Sequence, residues 1–95
     1  MELKNNQYLG NGFSAWGGDL QVLLTYDDGK IKGLEVIKEN ETPGFGDWAL
    51  DEMPDRIIAA NSADVDAVTG ATDTSRAIKD ATKDALKKVQ NNKKT

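Results

Sequence analysis

From Ile78 to Val89, small and apolar side chains recur at i, i+3, i+4, i+7, i+8 and i+11 (Ile78, Ala81, Thr82, Ala85, Leu86, Val89), a stripe that an α-helix gathers on one side. Lys79, Asp80, Lys83, Asp84, Lys87 and Lys88 fill the remaining faces, so this helix must lie on an apolar surface supplied from elsewhere in the chain. Thr72, Asp73, Thr74 and Ser75 offer N-cap candidates, and the closing lysines suit the negative C-terminal end of the helix dipole. The surface comes from upstream. Leu20, Val22, Leu24 and Tyr26 alternate with Gln21, Leu23 and Thr25, the period of two expected of a half-buried strand. Asp27-Asp28-Gly29-Lys30 then gives a hairpin signal. The return strand is expected from Ile31 to Lys38, with Leu34 and Val36 on one side and Ile31, Gly33, Glu35 and Ile37 on the other. The expected fold is α+β: a small antiparallel β-sheet packed with helices and closed by a long amphipathic C-terminal helix.

The remaining segments are less regular. Gly10, Gly12, Gly17 and Gly18 surround Phe13 and Trp16, with Tyr8 ahead of them, and read as an extended stretch with bends or bulges. Glu39 to Gly46 reads as a loop. Asp47 is placed to cap a short helix through Trp48, Ala49, Leu50 and Met53, with Pro54 ending it and a second short helix following through Ile57, Ile58 and Ala59. Asn61 to Asp64 is a connector and Val65 to Val68 a short strand. The 95 residues are expected to form one domain, with 1–7 and 91–95 frayed.

Composition narrows the chemistry. The chain has no histidine and no cysteine, which removes Ser-His-Asp, Cys-His and His- or Cys-ligated metal chemistry. The acidic pairs Asp27-Asp28 and Asp51-Glu52 lack a calcium-loop pattern, so no metal is expected. A formal charge of −4 argues against a nucleic-acid partner, which requires a basic surface. No apolar run approaches the length of a membrane span. Met1 leads directly into the polar run Glu2-Leu3-Lys4-Asn5-Asn6-Gln7, as expected of a cytosolic chain or of one whose export signal has been replaced by a start codon.

The segment Asp66-Ala67-Val68-Thr69-Gly70-Ala71-Thr72, running on into Asp73-Thr74-Ser75, collects four hydroxyls at the start of the long helix. Gly70 and Ala71 admit close approach of a ligand, and the unpaired amides of a helix start favour an anion. By residue type alone, this is either an N-cap with hydroxyls to spare or a phosphate site.

The pattern Asp-x-x-(Ser/Thr)-Gly-Ala-Thr resembles the motif of FMN-binding domains carried by the flavin subunits of sodium-translocating NADH:quinone oxidoreductase and Rnf electron-transport complexes. In that family a flavin transferase joins FMN to the last threonine through a phosphoester. The resemblance implies that Asp66, Thr69, Gly70, Ala71 and Thr72 form the transferase signal, with Thr72 the acceptor and Ser75 fitting the usual continuation. Trp16-Gly17-Gly18, Asp28-Gly29-Lys30-Ile31 and Glu41-Thr42-Pro43-Gly44-Phe45-Gly46 follow the family's order, so the likeness spans roughly Tyr8 to Leu86. It makes Glu41, Thr42, Gly44 and Phe45 a second wall of the flavin site. Glu41 would accept from the ring N3–H or the ribityl hydroxyls, and Phe45 or Trp48 would stack on the ring. Most family members carry an N-terminal membrane segment or signal, which these 95 residues do not show.

The function implied is a small flavoprotein domain that carries electrons on FMN, with no catalytic residue and no enzymatic activity of its own. Its implied partners are the flavin transferase and a redox protein or membrane electron-transport complex. Its implied location is extracytoplasmic and membrane-associated. Two alternatives are a module that binds FMN or another phosphorylated ligand reversibly at Thr72, and a structural domain whose glycines and threonines are turn chemistry alone.

Overall fold

The computed structural model describes residues 2–14, 18–39 and 48–91. Three strands, β1 (Gln7–Ser14), β2 (Gly18–Asp27) and β3 (Lys30–Lys38), are followed by two helices, α1 (Ala49–Ala60) and α2 (Thr72–Gln90). The sheet is antiparallel in the order β1-β2-β3. This is the α+β arrangement expected from the sequence. Ahead of β1, where fraying was expected, the Gln7 amide donates to the Lys4 carbonyl and the Tyr26 amide to that of Asn6, so a turn leads into the sheet.

One face of the sheet carries Tyr8, Leu20, Val22, Leu24, Ile31 and Leu34, all buried, and both helices pack on the sheet. Val22 and Leu24 are fully enclosed, as are Met53 and Ile57 of α1 and Ala77, Ile78, Ala81 and Ala85 of α2. Each large apolar side chain sealed in this way contributes about 1.5–3 kcal/mol.

The hairpin expected at Asp28-Gly29 is present. Asp28 (φ 53°) and Gly29 (φ 74°) both adopt positive φ, the two-residue type I′ geometry whose twist matches the flanking strands. The partition of β3 differs from the alternation read along the sequence. Tyr26 pairs with Ile31 but Thr25 with Gly33, so Lys32 is an extra residue, and a second irregularity leaves Ile37 between the partners of Val22 and Gln21. The first bulge turns Ile31 onto the same buried face as Leu34.

Four other expectations are corrected. The glycine-rich segment after Tyr8 is a regular strand, paired in unbroken register with β2 from Gln7↔Thr25 to Ser14↔Gly18. Its glycines serve packing. A Cβ on Gly10 would overlap the Ala81 carbonyl oxygen and one on Gly12 that of Ala77, so β1 lies directly against the backbone of α2. The two short helices are one helix with Pro54 inside it. The proline forfeits one amide hydrogen bond, and burial of Ala49, Met53, Pro54 and Ile57 on one side offsets that loss. Val65 to Val68 forms no strand, having no neighbour in the three-stranded sheet. Finally, α2 begins at Thr72 with Ala71 as N-cap, and no side chain among the hydroxyl-rich candidates caps it.

Asn61 ends α1 in a left-handed conformation (φ 53°), and its side chain accepts from the Ile31 amide (2.7 Å) and donates to the Gly29 carbonyl (3.3 Å). The connector thus fastens α1 to the hairpin.

Gly10→Ala is expected to destabilise the chain by about 1–3 kcal/mol, the usual cost of overpacking. In contrast, Gly33→Ala, whose Cβ would meet Thr25 at an ordinary 3.5 Å, should be nearly neutral. Urea denaturation of the two variants checks this; equal midpoints would mean that α2 shifts freely away from β1.

Candidate functional site

The Thr69-Gly70 turn joins the coil after Asp66 to the first turn of α2. The Ala71 amide donates to the Val68 carbonyl (2.9 Å), and Gly70 holds φ at 79°, a conformation glycine adopts without the penalty a Cβ brings. The Ser75 amide then donates to the Ala71 carbonyl (2.9 Å), the first bond of the helix. A second tie closes the loop from inside: the Val68 amide donates to the Ser75 hydroxyl oxygen (3.0 Å), and Ser75 is fully buried. Val68 and Ala71 are buried as well, whereas Thr69, Gly70 and Thr72 lie on the surface. The motif is therefore an arch, anchored by its apolar residues and by Ser75, with Thr69, Gly70 and Thr72 on its outer side.

This arrangement divides the residues singled out from the sequence. Thr69, Gly70 and Thr72 lie together at the exposed start of α2, with Asp66 four residues before Gly70, also exposed. Among the described residues the Asp66 carboxylate has no hydrogen bond or ion pair. Its backbone carbonyl accepts from Arg56 of α1 (3.3 Å), which also pairs with Glu52 (3.4 Å). Arg56 was not apparent from the sequence as part of the site; its only local signal is the i, i+4 spacing from Glu52. Ala71 and Ser75 lie beneath the surface, so a partner protein would meet their effect on the arch before meeting their side chains. Trp16, Glu41, Thr42, Gly44 and Phe45 lie outside the described residues.

The exposed end of α2 fits an anion. The first-turn amides of Thr72, Asp73 and Thr74 have no carbonyl of their own helix to bind, and among the described residues the N-cap, Ala71, makes no side-chain cap. The Thr74 hydroxyl, in the same turn, is buried with no hydrogen-bond partner among the described residues. Such an orphan costs about 1–3 kcal/mol. The Trp48 indole, at the N-cap of α1, borders the arch: a Cβ on Gly70 would lie 3.3 Å from its Cζ2.

A groove of about 390 Å³ between β3 and α1 offers a different environment. Leu34, Val36, Leu50 and Pro54 line it with apolar surface, but Glu35, Glu39, Asp51 and Asp55 surround it with carboxylates and none of its described lining residues is cationic. A phosphate would be repelled there. Among the described residues no cluster of three or more acidic side chains could hold a metal ion, and no helix is long and apolar enough to cross a membrane.

The family model for the FMN-binding domain matches residues 15–87, which include the whole arch. The chain is 31% identical over 94 residues to one subunit of the Na(+)-translocating ferredoxin:NAD(+) oxidoreductase complex of Acetobacterium woodii, an alignment covering 82% of this chain and 45% of the relative. It is 35% identical over 83 residues to a subunit of an ion-translocating oxidoreductase complex of Methanosarcina acetivorans (73% and 43%). Over 78 residues it is 30% identical to the NADH:acrylate oxidoreductase of Vibrio harveyi (78% and 8%). The chain thus spans less than half the length of each of these relatives. A crystal structure of a Clostridium perfringens protein shares the fold, with a TM-score of 0.74 at 20% identity, covering 99% of this chain and 94% of that one.

Ser75→Ala removes the acceptor of the buried Val68 amide and is expected to destabilise the chain by about 1–3 kcal/mol. Hydrogen exchange at the Val68 amide should accelerate in the variant; unchanged protection would show that another acceptor holds the arch.

Proposed function

This chain belongs to the FMN-binding domain family, and from that premise we propose that it carries FMN covalently, as a phosphoester on Thr72, and passes electrons through it. The observation that carries this reading is that Thr72 is exposed at the uncapped start of a 19-residue helix, on an arch whose ties among the described residues do not involve its side chain. A phosphoester retains one negative charge, which first-turn amides and the helix dipole stabilise by about 0.3–1 kcal/mol when exposed and up to about 2 when partly buried. A flavin transferase would break an activated phosphate bond of its donor and join the phosphorus to the Thr72 oxygen, with loss of the hydroxyl proton.

The bound flavin supplies the one- and two-electron chemistry; the chain attaches it, orients it and sets its surroundings. With neither histidine nor cysteine, these 95 residues bring no thiol or imidazole chemistry of their own. Glu41, Thr42, Gly44 and Phe45 form the second wall on this reading. They precede Trp48 closely in the chain, and Trp48 borders the arch. The relatives in ion-translocating complexes support a role as one carrier in a membrane-associated redox chain, with a neighbouring redox protein as partner; a place outside the cytoplasm belongs to this proposal through the resemblance of the motif alone.

After co-expression with a flavin transferase, the intact mass should rise by one FMN less water. Thr72→Ala should abolish the gain, whereas Thr74→Ala and Ser75→Ala should retain it. A label that persists in Thr72→Ala would place the attachment elsewhere, and flavin that washes out on denaturation would favour reversible binding. Asp66→Ala tests recognition separately. Its carboxylate supports nothing among the described residues, so the variant should keep the wild-type melting temperature while incorporating flavin more slowly; wild-type kinetics would make Asp66 a plain surface carboxylate.

A further inference from the structure

The charges of α1 are sorted by side. Glu52 and Arg56, four residues apart, form an ion pair (3.4 Å), and Arg56 also donates to the Asp66 carbonyl. Asp51 and Asp55 repeat the same spacing one position earlier with two like charges, which a helix on its own disfavours. Both line the groove between β3 and α1. From the facing wall β3 lends Leu34 and Val36 on its helix-facing side and Glu35 on the other, since Leu34 pairs with the buried Leu24 and Glu35 with Leu23. Among the described residues Glu35, Asp51 and Asp55 make no ion pair. The groove therefore has an apolar floor, completed by Leu50 and Pro54, between two walls of uncompensated negative charge.

We propose that this groove is a docking site for a partner protein, and that it takes a short segment in which lysines or arginines alternate with apolar residues. Charge complementarity selects this occupant. A phosphate or an acidic peptide would be repelled. A single metal ion is not matched either, because no three acidic side chains among the described residues could hold one. Carboxylates spaced along two walls suit several cations at intervals, and a polypeptide supplies these with apolar side chains between them. Lysine and arginine fit both features: their aliphatic stems lie along Leu50 and Pro54 while the charged ends reach the carboxylates. The volume, about 390 Å³, holds a few such side chains. The position gives docking a use. Leu50 and Asp51 follow Trp48 by two and three residues, and Trp48 borders the arch. A segment seated at this end of α1 brings its protein next to the arch. That consequence rests on the reading that Thr72 carries the flavin; the docking itself does not.

The test is a magnetic resonance titration of the isotopically labelled full chain, flavin-loaded and unloaded, with a synthetic peptide alternating lysine and leucine. Two control peptides replace every leucine by serine, or every lysine by glutamate. Amide shifts should concentrate at Glu35, Val36, Leu50, Asp51 and Asp55, with the same footprint in both forms of the chain. Affinity should fall several-fold for the lysine–serine peptide, vanish for the glutamate–leucine peptide, and weaken as salt rises. Combining Asp51→Asn with Asp55→Asn should weaken binding about three- to tenfold, the scale of two exposed charge pairs. Asp55→Asn alone should melt no lower than wild type, since it relieves the like-charge pair, and should still weaken binding. No binding, shifts spread equally over other exposed carboxylates such as Asp27, Asp28 and Asp73, or equal affinity for the lysine–serine peptide would overturn the proposal. Self-association of the chain that Asp55→Asn abolishes would assign the groove to a second copy and overturn it likewise. Because the unloaded chain is read as well, failure of docking leaves the attachment at Thr72 standing, and failure of attachment leaves the docking standing.

Discussion

The close approach of β1 to α2 sets the geometry of everything after it. Gly10 and Gly12 present bare backbone to the carbonyls of Ala81 and Ala77, and Ala77, Ala81 and Ala85 present the smallest side chains on the facing row of the helix. Two chain segments more than 60 residues apart in sequence therefore meet backbone to backbone, with no long side chain able to slide. Polar ties at the edge reinforce the contact: the Asn11 amide donates to Asp84 (2.9 Å), and Lys88 donates to the Leu9 carbonyl (2.7 Å). These also occupy outward-facing groups of β1, an edge strand whose unpaired backbone would otherwise invite pairing with another chain.

A helix fixed in this way holds its N-terminus in place as well, and the motif arch depends on that. Val68 and Ala71 anchor in the core, Ser75 ties the arch from beneath, and Arg56 holds the Asp66 carbonyl from α1. The surface left over is formed by Asp66, Thr69, Gly70 and Thr72. The N-cap position is Ala71, which has no polar side chain, so the first-turn amides carry no side-chain cap there. On the proposed reading an anionic phosphoester would use these amides, which a capping side chain would otherwise occupy.

Much of this was legible in the sequence. The period of α2, the alternation of β2 and the Asp-Gly turn each reflect a local rule with little competition. The readings that failed were those where tertiary contact overrides local preference. Glycines in β1 suggested bends because the helix that requires them lies more than 60 residues away. Pro54 suggested a helix end because its lost hydrogen bond is local and the burial that offsets it is not. The side assigned to Ile31 failed because a bulge at Lys32 reverses the alternation, and nothing in the strand's composition marks it. For the candidate site, the motif drew attention to Thr72, Gly70 and Asp66, which the structure places on the exposed surface around the start of α2. It could not reveal that Ala71 and Ser75 act from below the surface, or that Trp48 borders the arch, since these depend on how α1 meets the start of α2.

The central claim is that the flavin is bonded to Thr72 and lies across the arch rather than in the acidic groove between β3 and α1. Nuclear magnetic resonance on isotopically labelled, flavin-loaded chain tests it most directly. The account predicts a through-bond phosphorus coupling to the Thr72 β-proton, together with amide shifts at Gly70, Asp73 and Thr74 and a shift of the Trp48 indole N–H. A phosphorus coupling to another residue, or shifts confined to Glu35, Asp51 and Asp55, would contradict it.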